Sequence, residues 1–239
     1  MPTNVKLLGA RRAYEFRSDE LRLSVLSMES VRQRLNDLFH FQAGGIGAPI
    51  PTFGTVPTPL PPGLVLDFGA FLSPDGLVVP IRFLHFEQRR IVIDVAGPSS
   101  AIDGIFAQLF EGLSDLHASD GSPVIGTPDQ ILEYSEVSAQ FSFDLDEILA
   151  PALRTLFAST LGTGERTNDM VIAPTLYIQV QPKAEESPGG ITNPNSRILQ
   201  FAFRTGTRPD ERIYFSGAPL DSEAHLAYLS AFERSVAKP

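Results

Sequence analysis

Thirty-five residues, "GLVLDFGAFLSPDGLVVPIRFLHFEQRRIVIDVAG" (63–97), constrain the fold more than any other stretch of the chain. Apolar and polar positions alternate along three short runs, the pattern of strands with two unlike faces. Ser73-Pro74-Asp75-Gly76 has the residues a tight β-turn favours, so the first two runs form a hairpin with Leu72 opposite Leu77. That register sets Asp67 opposite Arg82. With Glu87 to Arg89 as a three-residue loop, it also sets Arg82 opposite Asp94. Phe68, Ile81 and Val95, then Leu66, Phe83 and Ile93, stack on the other face. One register satisfies both faces, which is how a register becomes specified. The expectation is a meander carrying an Asp67–Arg82–Asp94 ladder. Such a ladder is a cross-strand charge set contributing roughly 0.2–1 kcal/mol per pair, or two carboxylates and a guanidinium that grip a ligand or do acid–base work. His85, on the face of Phe83 and Ile81, is a core histidine or a further candidate for the same chemistry.

A faint duplication extends this reading to the whole chain. Residues 18–39 lie without gaps on 136–157, with Ser24/Ser142, Glu29/Glu147, Leu35/Leu153, Leu38/Leu156 and Phe39/Phe157 identical. Each copy reads as an alternating strand, with Leu23 and Val25 answering Phe141 and Phe143, that runs into an amphipathic helix. Residues 89–113 and 211–236 each read as strand, Gly/Pro turn and helix. The expected fold class is α+β: two pseudo-repeated β-α-β-β-β-α halves, 1–118 and 119–239, each an antiparallel sheet covered by helices on one face. In the second half, Leu176, Ile178, Val180, Leu199, Phe201, Phe203, Ile213 and Phe215 are expected to face the helices. Tyr177, Gln179, Gln200, Arg204 and Tyr214 then share a polar face that is solvated or receives a partner.

Charge and composition exclude several function classes. A net charge of −9 opposes the phosphate neutralisation that nucleic-acid binding needs, and it opposes anionic membranes equally. With no cysteine there are no disulfides, thiolate metal sites or cysteine nucleophile. The start lacks a signal-peptide apolar region, and the cytoplasm is the expected compartment. No phosphate loop, nucleophile elbow or H-E-x-x-H motif occurs, and the four histidines are not at ligand spacing. No metal and no cofactor is predicted.

One segment fits neither element class. "GAPIPTFGTVPTPLPPG" (47–63) holds six prolines in seventeen residues, and no Lys, Arg, Asp or Glu occurs between Asp37 and Asp67. Disorder normally needs charge and low hydrophobicity, and this stretch has neither. Repeated X-Pro units favour extended backbone with little entropy left to lose on docking. The expectation is an apolar arm (43–63) whose Ile50, Phe53, Val56 and Leu60 pack on their own domain or insert into a neighbour. The functional expectation is therefore a non-catalytic interaction protein, a subunit or adaptor with a protein partner or a second copy of itself. The alternatives are a small-ligand-binding domain with the arm as lid, or a metal-independent enzyme using Asp67, Arg82, Asp94 or His85.

Overall fold

The three runs of residues 63–97 are strands. The computed structural model describes residues 1–18, 20–46, 63–148, 175–179 and 198–236 and shows a mixed α+β chain with antiparallel strands. The chain divides into two units, Gly9–Tyr134 and Met1–Leu8 with Ser135–Pro239. None of the described helices is long and apolar enough to cross a membrane.

In the first unit, β1 (Thr3–Glu15, of which Gly9–Glu15 belong here) is followed by a single helical turn α1 (Leu23–Leu26) and by α2 (Glu29–Phe39). Then come β2 (Ala43–Ile46), the meander β3 (Leu64–Leu72), β4 (Val78–Glu87) and β5 (Arg90–Val95), and α3 (Ser100–Gly112). The strand order is β2-β3-β4-β5-β1. Two expectations fail here. Residues 23–26 are helical rather than extended, because Leu26 and Ser27 donate their backbone N–H groups to the carbonyls of Arg22 and Leu23 and Leu26 is buried out of step with a period of two. The first strand lies instead at Thr3–Glu15. The proposed arm is also shorter at its start, since Ala43 to Ile46 pair with Asp67 to Leu64. Its residues Ile50, Phe53, Val56 and Leu60 lie outside the described residues.

The core of this unit lies between the meander and its helices. Val31, Leu35 and Phe39 of α2 and Ile102, Ile105 and Leu109 of α3 meet Leu64, Leu66, Phe71, Ile81, Leu84, Phe86, Ile91, Ile93 and Val95. Burying each such side chain stabilises the unit by about 1.5–3 kcal/mol. Tyr14 stacks on Phe106 with ring centroids 3.8 Å apart. Arg12, buried beside it, donates from Nε to Glu133 (2.6 Å) and from Nη1 to the Tyr14 hydroxyl (3.2 Å) and to Asp103. Burial works against the guanidinium charge, and these hydrogen bonds with the charge of Glu133 more than restore it.

The second unit carries β6 (Gln130–Gln140, of which Ser135–Gln140 belong here), a 3₁₀ turn (Leu145–Ile148), β7 (Leu176–Gln179), β8 (Ile198–Phe203), β9 (Ile213–Ala218) and α4 (Ser222–Val236). Its strand order is β6-β9-β8-β7. An aromatic cluster of Phe141, Phe143, Phe201, Tyr214 and Phe232 fills its core, with Phe201 and Tyr214 stacked at 5.1 Å. Tyr214 thus corrects the expected faces of β9. It lies opposite Phe203, and Ser216 lies opposite Phe201, so Tyr214 and Ser216 turn inward while Ile213 and Phe215 turn outward. The buried phenol keeps its polar tip satisfied: its oxygen accepts the Leu145 N–H at 2.9 Å.

Candidate functional site

The first unit's sheet has a second face, turned away from α2 and α3, and every ladder residue meets it. The meander pairs one residue out from the expected register. Leu72 faces Val78, and Asp67 faces Phe83 rather than Arg82. Between β4 and β5 the register shifts at Arg82, with Ile81 opposite Val95 but Phe83 opposite Asp94. The shift is a bulge, and it inverts the side-chain parity of β4. Ile81 points to the helices, as do Leu84 and Phe86 beyond the bulge, whereas Phe83 joins Val65, Val92 and Ala13 in a separate cluster. Phe68, opposite the bulge, has φ +57° and is exposed instead of stacked on Ile81. A hairpin turn one residue longer than expected and a bulge are invisible to a count of alternation, which is why the predicted ladder does not form as three directly opposed residues.

Part of its chemistry survives in another arrangement. Asp94 is buried and sits between two guanidiniums, Arg82 Nη1 at 3.2 Å from Oδ1 and Arg11 Nε at 2.7 Å from Oδ2. Arg11 lies directly opposite Asp94 across the β1–β5 pairing. Its guanidinium also lies over the rings of Phe83 (5.3 Å) and Tyr134 (6.0 Å). Gly9 makes room for the second guanidinium, because a Cβ there would stand 2.6 Å from Arg82 Nη1 and Nη2. Arg11 does not stand out from the sequence, because β1 reads weakly as a strand. The signal was Ala10, Tyr14 and Phe16 at every second position, masked by the inward Arg12.

His85 lies on the same face, opposite Val65 and Val92, and is wholly buried. Among the described residues neither ring nitrogen has a hydrogen-bond partner. Glu87 Oε1 is 3.3 Å from Nδ1, close enough for an ion pair with a charged ring but misaligned for a hydrogen bond. Asp67 stands apart from Asp94. Burial raises its pKa, opposed by the charge of His85. The structure therefore brings Arg82 to Asp94 and Asp67 towards His85, as two separate pairs.

Towards its turn the β3–β4 hairpin is apolar and uncovered. Phe68 is 64% exposed, Leu72 67%, Leu77 66% and Val78 66%. In the second unit, Tyr177 and Gln200 share the polar face, where Gln200 Nε2 donates to the Tyr177 hydroxyl at 3.3 Å, and Arg204 donates to Ser138 at 3.2 Å. Tyr214 is not on that face, and the side chain of Gln179 lies outside the described residues. A cavity of about 540 Å³ beside α1 and α2 is lined by Arg22, Met28, His117 and Asp120, among others. The Arg22 guanidinium there is engaged by Asp120 (3.0 Å) and Ser122 (3.2 Å). Among the described residues no cluster of three or more His, Cys, Asp or Glu is arranged to hold a metal. No protein-family model matches the chain, and no curated protein is significantly similar to it.

Proposed function

We propose that this chain is a non-catalytic interaction protein, a subunit or adaptor that docks a protein partner or a second copy of itself through the β3–β4 hairpin and the proline-rich segment that leads into it. The observation that carries this reading is the set of four large apolar side chains, each about two-thirds exposed, on one hairpin. A contiguous patch of that kind is a liability unless something covers it. Phe68 adds a second support. A bulky residue at φ +57° costs about 1–2 kcal/mol, and the strain here holds an aromatic ring out in solvent. Ile50, Phe53, Val56 and Leu60 extend the same apolar character along the chain. Neither docking element needs a charged or catalytic group.

The reading of the halves as duplicates belongs to the same proposal. In each unit the first strand lies antiparallel beside the last strand of a three-stranded meander, and a helix follows that last strand. This shared order supports an ancestral copy, with one hairpin free to take on docking.

Native mass spectrometry of the freshly purified protein tests the proposal. A defined oligomer that dissociates in Leu72→Glu or Val78→Glu, with the thermal transition unchanged, is the expected result. Phe68→Gly is expected to dissociate it as well while raising stability by up to about 1 kcal/mol, because glycine adopts positive φ without strain. A monomer carrying a discrete extra mass would overturn assembly in favour of the second reading, a small-ligand-binding domain. That reading is favoured by His85, a buried imidazole whose nitrogens lack hydrogen-bond partners among the described residues.

A further inference from the structure

The second unit contains a buried polar chain that the docking surface does not use. His225, in the first turn of α4, is wholly buried, as are Ser135 of β6 and Ser216 of β9. Nδ1 is 2.9 Å from Ser135 Oγ, and Nε2 is 2.9 Å from Ser216 Oγ. Each hydroxyl also meets a backbone carbonyl: Ser135 that of Leu220 at 2.8 Å, Ser216 that of Gln200 at 3.1 Å. None of the three is accessible to a substrate, so the chain is a fastening and not a catalytic pair.

Counting protons defines its state. Four contacts in series need four hydrogens, and two hydroxyls with a neutral imidazole supply three. The longest contact, Ser216 to Gln200, is the one left without a proton. Ser135 then donates to Leu220, Nδ1–H donates to Ser135, and Ser216 donates to Nε2. A charged imidazole would fill the fourth contact, but full burial with only neutral hydroxyls on its nitrogens opposes the charge. Serines face it from β6 and β9. From β8 comes a carbonyl, and at the start of α4 the Asp221 carboxylate accepts the Ala224 N–H while Glu223 is exposed. Glu136, next to Ser135, turns to the opposite face of β6. The positive end of α4 adds to the opposition. We propose that Ser135, His225 and Ser216 form an acid-sensitive latch that fastens α4 to its sheet, closed while the imidazole is neutral and weakened when it is protonated.

The sign follows from linkage. Burial holds the imidazole at about 4, against 6.5 when it is free. Released helix therefore binds the proton first, and the latch, fully effective above 6.5, loses strength as pH falls towards 4. The test is hydrogen exchange on the full chain at about pH 7.5 and about pH 5.2, corrected for intrinsic exchange. Wild-type α4 amides are expected to lose protection by about 20-fold between the two, following from those two values, whereas His225→Gln stays flat. A wild-type loss below about threefold, or an equal loss in His225→Gln, overturns the proposal. NMR of the wild-type imidazole decides the matter if the variant fails to fold. A proton on Nδ1 and a midpoint below about 5 support the latch, and a midpoint at or above the free value overturns it.

Discussion

His85 and His225 are the same residue, each wholly buried, one on a sheet face and the other on a helix fastened to a sheet, and they are treated in opposite ways. His225 has a serine hydroxyl on each nitrogen, and each hydroxyl has a carbonyl behind it. Among the described residues His85 has no hydrogen bond on either nitrogen, with a misaligned glutamate beside Nδ1 and Asp67 within reach of its charge. A buried polar group left unsatisfied costs about 1–3 kcal/mol, so His85 carries a cost that His225 avoids. Costs of that kind persist where a residue has another use, and Phe68, strained and exposed, lies in the same sheet. The comparison separates a histidine with a partner on each nitrogen from one that lies in a sheet with strained and uncovered groups.

The sharpest way to break the comparison is to replace each histidine by leucine, which has similar bulk and no polar atoms. His225→Leu takes one hydrogen bond from each of two buried hydroxyls, which keep their carbonyls, and is expected to cost roughly 1–3 kcal/mol. His85→Leu removes an unsatisfied group and loses no hydrogen bond, so it is expected to be neutral or to stabilise by about 1 kcal/mol. Urea unfolding, read unit by unit through hydrogen exchange, measures both. Equal losses would show that the His85 nitrogens have a partner in solution and would remove the contrast.

A second effect comes from a group on the same face as His85 that is fully paired. Asp94 shows that this face can satisfy a buried charge where it needs to, with Arg11 on one oxygen and Arg82 on the other. Arg11→Met takes away the closer guanidinium and is expected to cost roughly 1–3 kcal/mol, the range for a buried carboxylate losing a charged hydrogen bond. Arg82→Met, at a longer contact, is expected to cost less. If Arg82→Met is the more damaging, the bulge rather than β1 holds Asp94, and the order of the two losses decides this in the same unfolding experiment.

The contrast also marks what the sequence makes legible. The three meander runs and the amphipathic faces of α2 and α3 follow from alternation and helical spacing, because those patterns are dictated by one buried side. The register did not follow, since the bulge at Arg82 and the turn ahead of Val78 shift parity without changing composition. Tyr214 was placed on the wrong face because Ile213, Tyr214 and Phe215 are all apolar enough to face inward, and only the phenol's partners at Leu145 and Phe143 distinguish them. His85 and Asp94 could be named from the strand, but their unlike fates could not. What separates them is whether a partner arrives from elsewhere in the chain, and Arg11 arrives on a strand 83 positions away that reads weakly as one. The serines of the His225 chain carry no signal at all in isolation. Hydroxyls are too common for spacing to single out Ser135 and Ser216.

Asp67 gives the smallest test and sharpens the first comparison from its edge. Burial raises its pKa and the charge of His85, on the neighbouring strand, opposes the rise. A carboxyl raised on folding holds its proton longer in the folded chain than in the unfolded one. Between its free value of 3.8 and its raised folded value, stability therefore falls as pH rises, and above that window the whole loss is present. Asp67→Asn removes the ionisation. It is expected to stabilise the protein at neutral pH by no more than about 0.5 kcal/mol, the usual scale for a partly exposed position, and to leave stability unchanged below about pH 3.8. Repeating the substitution in His85→Leu separates the two causes: with the opposing imidazole gone, the carboxylate is less favoured and the gain from Asp67→Asn grows. A gain of the same size in both backgrounds would mean that Asp67 answers to burial alone and that His85 is as isolated in charge as it is in hydrogen bonding.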